Sequence, residues 1–247
     1  MADTRPPHFP PGHPVGDRYT VEGLVRLAEG RMFYLANDVR HDLPEQGHQG
    51  RRYLMSTRWV QDGFSAVEQF HALGLVHPGL ASPCDVFRYE DRQLVSVIPY
   101  NGEGLLLDEA SPLPNGRILQ IAQRIAGTIA FLHVNGVRLG PVTRANILIS
   151  PDNSIRLFDL DIVSVGDQPV PDGVRSEELQ AVGRVLRRFC NVEAEALAQF
   201  MTTVAQGEYP NPAEFGRAVE KRFDAFEALH YTPLLGAMTD VGLTRQL

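Results

Sequence analysis

From Tyr19 onward apolar and polar residues alternate through three stretches, YTVEGLV, MFYLAND and YLMSTRWV, the last two separated by the turn-former run HDLPEQGHQG. Alternation with a period of two turns one side of each stretch toward a core, so the pattern predicts three strands in an antiparallel meander. The period then lengthens. Phe64, Val67, Phe70, His71 and Leu75 fall at helical spacing, and Pro78 supplies the stop. Two more strands, CDVFRYE and QLVSVIPY, precede NGEGLLLDE and a long helix that opens near Asn115. Ile118, Ile121, Ala122, Ile125, Ile129 and Leu132 line one face of that helix as a core stripe. Two short apolar strands, Ile147 to Ser150 and Ile155 to Phe158, are joined by the turn run PDNS. Further helices are expected in EELQAVGRVLRRF, through Leu197, Phe200, Met201 and Val204, and through Phe215, Val219, Phe223 and Phe226. Residues 1–16 hold five prolines and no apolar period, which predicts a flexible leader.

Composition narrows the class. A chain of 247 residues that is 43% hydrophobic buries one large core or two modest ones. It contains no apolar run long enough to span a bilayer, and MADTRPPHFPPGHP lacks the charged-then-apolar order of a signal peptide, so a cytoplasmic protein is expected. The net charge of −7 argues against nucleic acid as a partner, because phosphate backbones require a basic face. Cys84 and Cys190 lie in unlike segments and are expected to be ordinary buried thiols. Of the 23 basic residues, 22 are arginine, and the single lysine is Lys221.

The candidate chemistry sits between Phe131 and Val163. A hairpin brings its open ends together, so Asn146, before the first of the two short strands, is expected beside Asp159, after the second. Oxygen-bearing side chains so placed suit a hard cation such as Mg²⁺, and Asp161 adds negative charge two residues on.

The segment FLHVNGVRLGPVTRANILISPDNSIRLFDLDIV resembles the catalytic loop and metal-binding segment of eukaryotic-type protein kinases, whose bacterial members read LHxxGIVHRDLKPxNILL and then VKLxDFG. Asn146 matches the loop Asn, and Asp159-Leu160-Asp161 stands where the family has Asp-Phe-Gly. Leu139, Gly140 and Pro141 replace His-Arg-Asp, so the family's general base is absent. The resemblance extends over residues 17–226. RLAEGRMFYLAND is similar to the family's glycine-rich loop but keeps only Gly30, which predicts an ordinary hairpin turn. Within YLMSTRWV, Ser56 takes the position of the phosphate-binding lysine, and no lysine precedes Lys221 to replace it. Arg58, two residues on and on the same strand face, is the candidate substitute. Glu68 stands where the lysine's glutamate partner would be and is expected to face solvent or Arg58. Ile98 and Tyr100 resemble the residues that gate and begin the nucleotide-binding hinge. Glu178 and Gly183 resemble the Asp and Gly of the family's central helix. Only eighteen residues separate Asp159 from Glu178, too few for a substrate-docking segment.

The resemblance implies an α+β, two-lobed protein kinase-like fold: a small antiparallel-sheet lobe over 17–100, a hinge at 101–104 and a mainly helical lobe over 105–228. The degenerate nucleotide cleft would comprise Gly30, Ser56, Arg58, Glu68, Ile98 and Tyr100, with Asn146, Asp159 and Asp161 as the metal set. ATP and Mg²⁺ are implied only weakly. The function so implied is a catalytically inactive pseudokinase, a regulatory or protein-interaction module of serine/threonine phosphosignalling. The alternative is an atypical metal- and nucleotide-dependent transferase. The tail, residues 229–247, contains GAMTDVGLTRQL, which resembles the opening of PPM-type serine/threonine phosphatases and suggests a phosphatase domain in cis as partner.

Overall fold

The computed structural model describes residues 8–28, 30–40, 52–59, 64–90, 93–100, 105–106, 113–150, 154–171, 177–190 and 194–230. The expected hinge at 101–104 and the tail beyond His230 lie outside the described residues.

The first half of the chain is dominated by one antiparallel sheet. Its strands are β1 (Pro14–Val15), β2 (Tyr19–Ala28), β3 (Arg31–Asp38), β4 (Arg52–Trp59), β5 (Asp85–Tyr89) and β6 (Gln93–Pro99), in the spatial order β1-β2-β3-β4-β6-β5. Register irregularities between Val21 and Gly23 and between Leu24 and Arg26 put bends into β2, and bulges of this kind increase strand twist. The sheet curls until its two edges approach. The Phe9 ring lies edge-on to Tyr89 at 5.3 Å, His13 Nε2 is 3.2 Å from the Tyr89 hydroxyl, and Phe87 stacks on Tyr19. Phe9, Val15, Tyr19, Val21, Met32, Tyr34, Ala36, Tyr53, Met55, Val95 and Val97 fill the inside of the curl.

Strand alternation sends the intervening residues to the opposite face. Phe33 of β3, Leu54 of β4 and Ile98 of β6 pack there against Ala81, Ala145, Leu148 and Phe158. Strands β3, β4 and β6 are thus buried on both sides. Helix α1 (Phe64–Ala72) connects β4 to β5.

Beyond the sheet lie β7 (Leu105–Leu106), α2 (Asn115–Val134), β8 (Val137–Leu139), a single 3-10 turn at Arg144–Asn146, β9 (Ile147–Ile149), β10 (Ile155–Leu157) and β11 (Ile162–Val165). Helices α3 (Glu177–Arg187), α4 (Glu195–Ala205) and α5 (Pro212–His230) follow. All six apolar residues read as the core stripe of α2 are buried. Gly183 lets α3 and α4 touch, since a Cβ there would sit 2.5 Å from the Ala205 amide nitrogen. Leu157 joins the halves: it donates to Gly79 O and accepts from Ala81 N, both at 2.8 Å.

Three expectations are corrected. The first concerns fold class. In place of a small-sheet lobe and a mainly helical lobe, the chain forms a mixed α/β structure with a curled, nearly closed six-stranded sheet and five helices among the described residues. The part expected to be mainly helical carries five short strands, in a three-stranded sheet ordered β10-β9-β7 and a two-stranded sheet of β11 and β8. Two of the five, β9 and β10, are the short apolar strands expected around PDNS; β7, β8 and β11, of two to four residues, show no readable period, and β8 pairs with a partner more than twenty positions away, so local pattern does not reveal those three. The second concerns the leader: its described part, from His8, is ordered, with Phe9 and Val15 buried and β1 paired to β2. Third, Cys84 is exposed rather than buried, and Cys190 is half-buried; both are free thiols.

Candidate charged site

The β9–β10 hairpin does what its turn residues predict, pairing Ile147 with Leu157 and Ile149 with Ile155. It closes the distance between its ends: Asn146 Nδ2 donates to Asp159 O at 2.8 Å and to Phe158 O at 3.3 Å. The other end of the amide turns back on its own loop. Asn146 Oδ1 accepts from the Thr143 backbone N–H and from the Thr143 hydroxyl, each at 2.8 Å, and so caps the 3-10 turn. Asn146 is 1% exposed and its side chain is fully engaged as a brace between two backbone segments.

Asp159 adopts a left-handed backbone, φ 46°, a conformation uncommon outside glycine. That turn reverses the chain after β10 and points the carboxylate into the interior, where its side chain is 2% exposed. Two arginines meet it there. Arg31 and Arg58 are cross-strand partners on β3 and β4, both on the face that carries Phe33 and Leu54. Arg31 Nε lies 3.4 Å from Asp159 Oδ2, and Arg31 Nη2 donates to Asp161 Oδ2 at 2.7 Å. Arg58 pairs through Nη1 with Asp161 Oδ1 and donates from Nη2 to Leu160 O at 3.2 Å. Burial pulls the Arg58 guanidinium below its usual range; Asp159 opposes that and Arg31 adds to it. Two cations and two anions therefore cancel at one seam between the sheet and the Asp159–Asp161 turn. Gly140 makes room for it, because a Cβ at 140 would stand 3.1 Å from the Asp161 Cβ.

The remaining residues expected in the cleft are distributed as follows. Ser56, on the same face as Arg58, is 1% exposed, and its hydroxyl has no hydrogen-bond partner among the described residues. Ile98 belongs to the apolar cluster around Phe158, with Tyr100 packed against it. Gly30 forms the β2–β3 turn at φ 76°, an ordinary hairpin role that requires a left-handed residue. Glu68 is exposed on α1. The void between α1 and the seam, lined by Val67, Phe70, Ser96, Phe158 and Asp159, has a volume of about 20 Å³, room for a single water.

A bound Mg²⁺ needs several oxygen ligands converging at about 2.0–2.1 Å. The arrangement does not fit it. The Asn146 oxygen is turned away, its NH₂ end faces Asp159, and both carboxylates already face guanidinium groups. Among the described residues no group of three or more His, Cys, Asp or Glu side chains is placed to hold a metal ion. Sequence reasoning brought Asn146, Asp159, Asp161 and Arg58 forward and missed Arg31. The signal was there: an arginine two positions before Phe33 shares its strand face and must enter the interior with it.

No family model matches the chain. No curated protein matches it either.

Glu178, the other buried carboxylate near this region, is anchored at the start of α3. Its Oε1 is 3.0 Å from His133 Nε2 at the end of α2 and accepts from the Leu139 N–H at 3.3 Å. It ties α2, α3 and the strand before Gly140 together.

Proposed function

We propose that the protein is a non-catalytic regulatory module of cytoplasmic serine/threonine phosphosignalling that acts by binding another protein, a phosphatase domain in cis being one candidate partner. The observation that carries this reading is the seam itself: Arg31 and Arg58 neutralise Asp159 and Asp161 from within. Phosphoryl transfer runs on a metal bridging the phosphates and on cations left free to meet developing charge. Here the cations are spent on the carboxylates, and Ser56 offers a hydroxyl where a phosphate-binding cation would be needed. The signalling context comes from the resemblance of residues 131–163 to a kinase catalytic segment. No helix among the described residues is long and apolar enough to cross a membrane.

Thermal denaturation with and without millimolar ATP and Mg²⁺ tests the reading, because a ligand of the native state raises the melting temperature. No shift is expected. A clear rise that disappears in Asp159→Asn would mean that the seam opens to admit metal and nucleotide, and the non-catalytic reading would fall.

A further inference from the structure

The polar side of α2 forms a second feature unrelated to the seam. Arg117, Gln120, Gln123, Arg124 and Gly127 line a cleft of about 370 Å³, closed on the other side by His77 and Ile155. The chain as a whole carries a net charge of −7, yet among the described residues three basic side chains and two amides line this cleft and no acidic one does. On the exposed side of the helix Gln123 Nε2 donates to Glu220 Oε1 of α5 at 3.5 Å.

The cationic groups are held in place. Arg117 and Arg124 stand seven residues apart, about 10.5 Å along the axis, close enough for two long side chains to reach one ion between them. Arg117 Nη1 donates to Gln120 Oε1 at 3.1 Å, which lays the guanidinium along the helix face. The stem of Arg124 passes over Gly79, where a Cβ would lie 3.0 Å from the Arg124 Cδ. His77 Nδ1 accepts from the Gly79 N–H at 3.0 Å, so the hydrogen of the neutral ring resides on Nε2 as a donor. Burial, with Arg124 adding to it, holds the His77 pKa below its usual value, in keeping with a site whose field is positive. Gly127 leaves the floor open, with no described residue within 4 Å of where its Cβ would be.

We infer that this cleft binds a phosphate monoester, gripped by Arg117 and Arg124 with amide and imidazole donors around it. Arginine recognises such a group through paired, charge-assisted hydrogen bonds, and the dianion offers three acceptor oxygens. The cleft is larger than phosphate alone and has room for the group that carries it.

Titration of the ¹⁵N-labelled full chain with inorganic phosphate, against sodium chloride at matched ionic strength, provides the test. Saturable shifts confined to the amides of 117–127 and the His77 ring are expected with phosphate only. Arg124→Gln should weaken the binding about tenfold, a loss of about 1.4 kcal/mol. Gly127→Leu should do the same by filling the floor with no change in charge. Shifts that fail to saturate, or binding unchanged in both variants, would overturn the inference. A phosphoserine peptide binding more tightly than glycerol phosphate would assign the ligand to a phosphorylated protein, and equal binding would assign it to a small phosphomonoester.

Discussion

The two faces of the six-stranded sheet are built from the same strands and solve burial in opposite ways. The inner face holds Tyr19, Tyr34, Tyr53, Met55 and Val97, and its few polar atoms find near partners: the Tyr34 hydroxyl accepts from Phe9 N at 3.2 Å and lies 2.9 Å from the Met32 sulfur. The outer face begins as apolar, at Phe33, Leu54 and Ile98, and ends as ionic, at Arg31 and Arg58. Apolar burial is favourable atom by atom and needs no particular partner. Buried charge is favourable only when every member is matched, because each ion has given up its water. The inner face therefore stabilises the sheet by apolar burial, whereas the outer face adds to its apolar part an ionic seam that fixes where the Asp159–Asp161 turn must dock.

The largest effect that separates the two faces is expected on the inner one. Tyr34→Ala should cost about 3–5 kcal/mol in chemical denaturation, the range for emptying a buried aromatic site. A loss below about 1 kcal/mol would mean that the curl does not enclose a packed core. Arg31→Met comes next. It strands the buried Asp159 carboxylate, and a loss near the lower end of the 3–5 kcal/mol typical of a broken buried pair is expected, about 3 kcal/mol, because the Asp161 side chain is 43% exposed and turns to water instead. Combining Arg31→Met with Asp159→Leu should cost less than the two single changes added together, by about 1 kcal/mol or more. Strict additivity in that cycle would show that the charges do not act as a unit.

The smallest effect lies away from the sheet, at a polar group only half-buried. His77 has its pKa lowered in the folded state, so the native form resists a proton that the unfolded chain accepts. Stability from this group is complete above the unfolded value of about 6.5 and declines as the pH falls below it. Melting temperatures followed from pH 8 to pH 5 should drop in the wild type. In His77→Gln the drop should be shallower by an amount worth less than about 1 kcal/mol. Parallel curves would remove His77 from the acid response.

Much of the local architecture was legible because burial on one side leaves a period. The alternation in MFYLAND placed Phe33 and Tyr34 on opposite faces, and the isoleucines of α2 marked its core stripe before any contact was known. The turn run PDNS sufficed to bring Asn146 beside Asp159. Other features left no such trace. Pro14 and Val15 form a strand only because β2 offers them an edge, and β8 meets β11 across an intervening hairpin. The orientation of the Asn146 amide was equally unreadable, since residue type specifies an oxygen and an NH₂ but not which end Thr143 will claim.

What the sequence by itself determined was the inventory: the long strands and helices that carry a period, that lysine is missing before Lys221, and that two aspartates follow the hairpin. Whether those aspartates meet a metal, water or arginine was decided only when β3 and β4 docked on the turn. Arg31 is 130 positions from Asp161, and electrostatic pairing over that separation depends on where the backbone brings the charges in space.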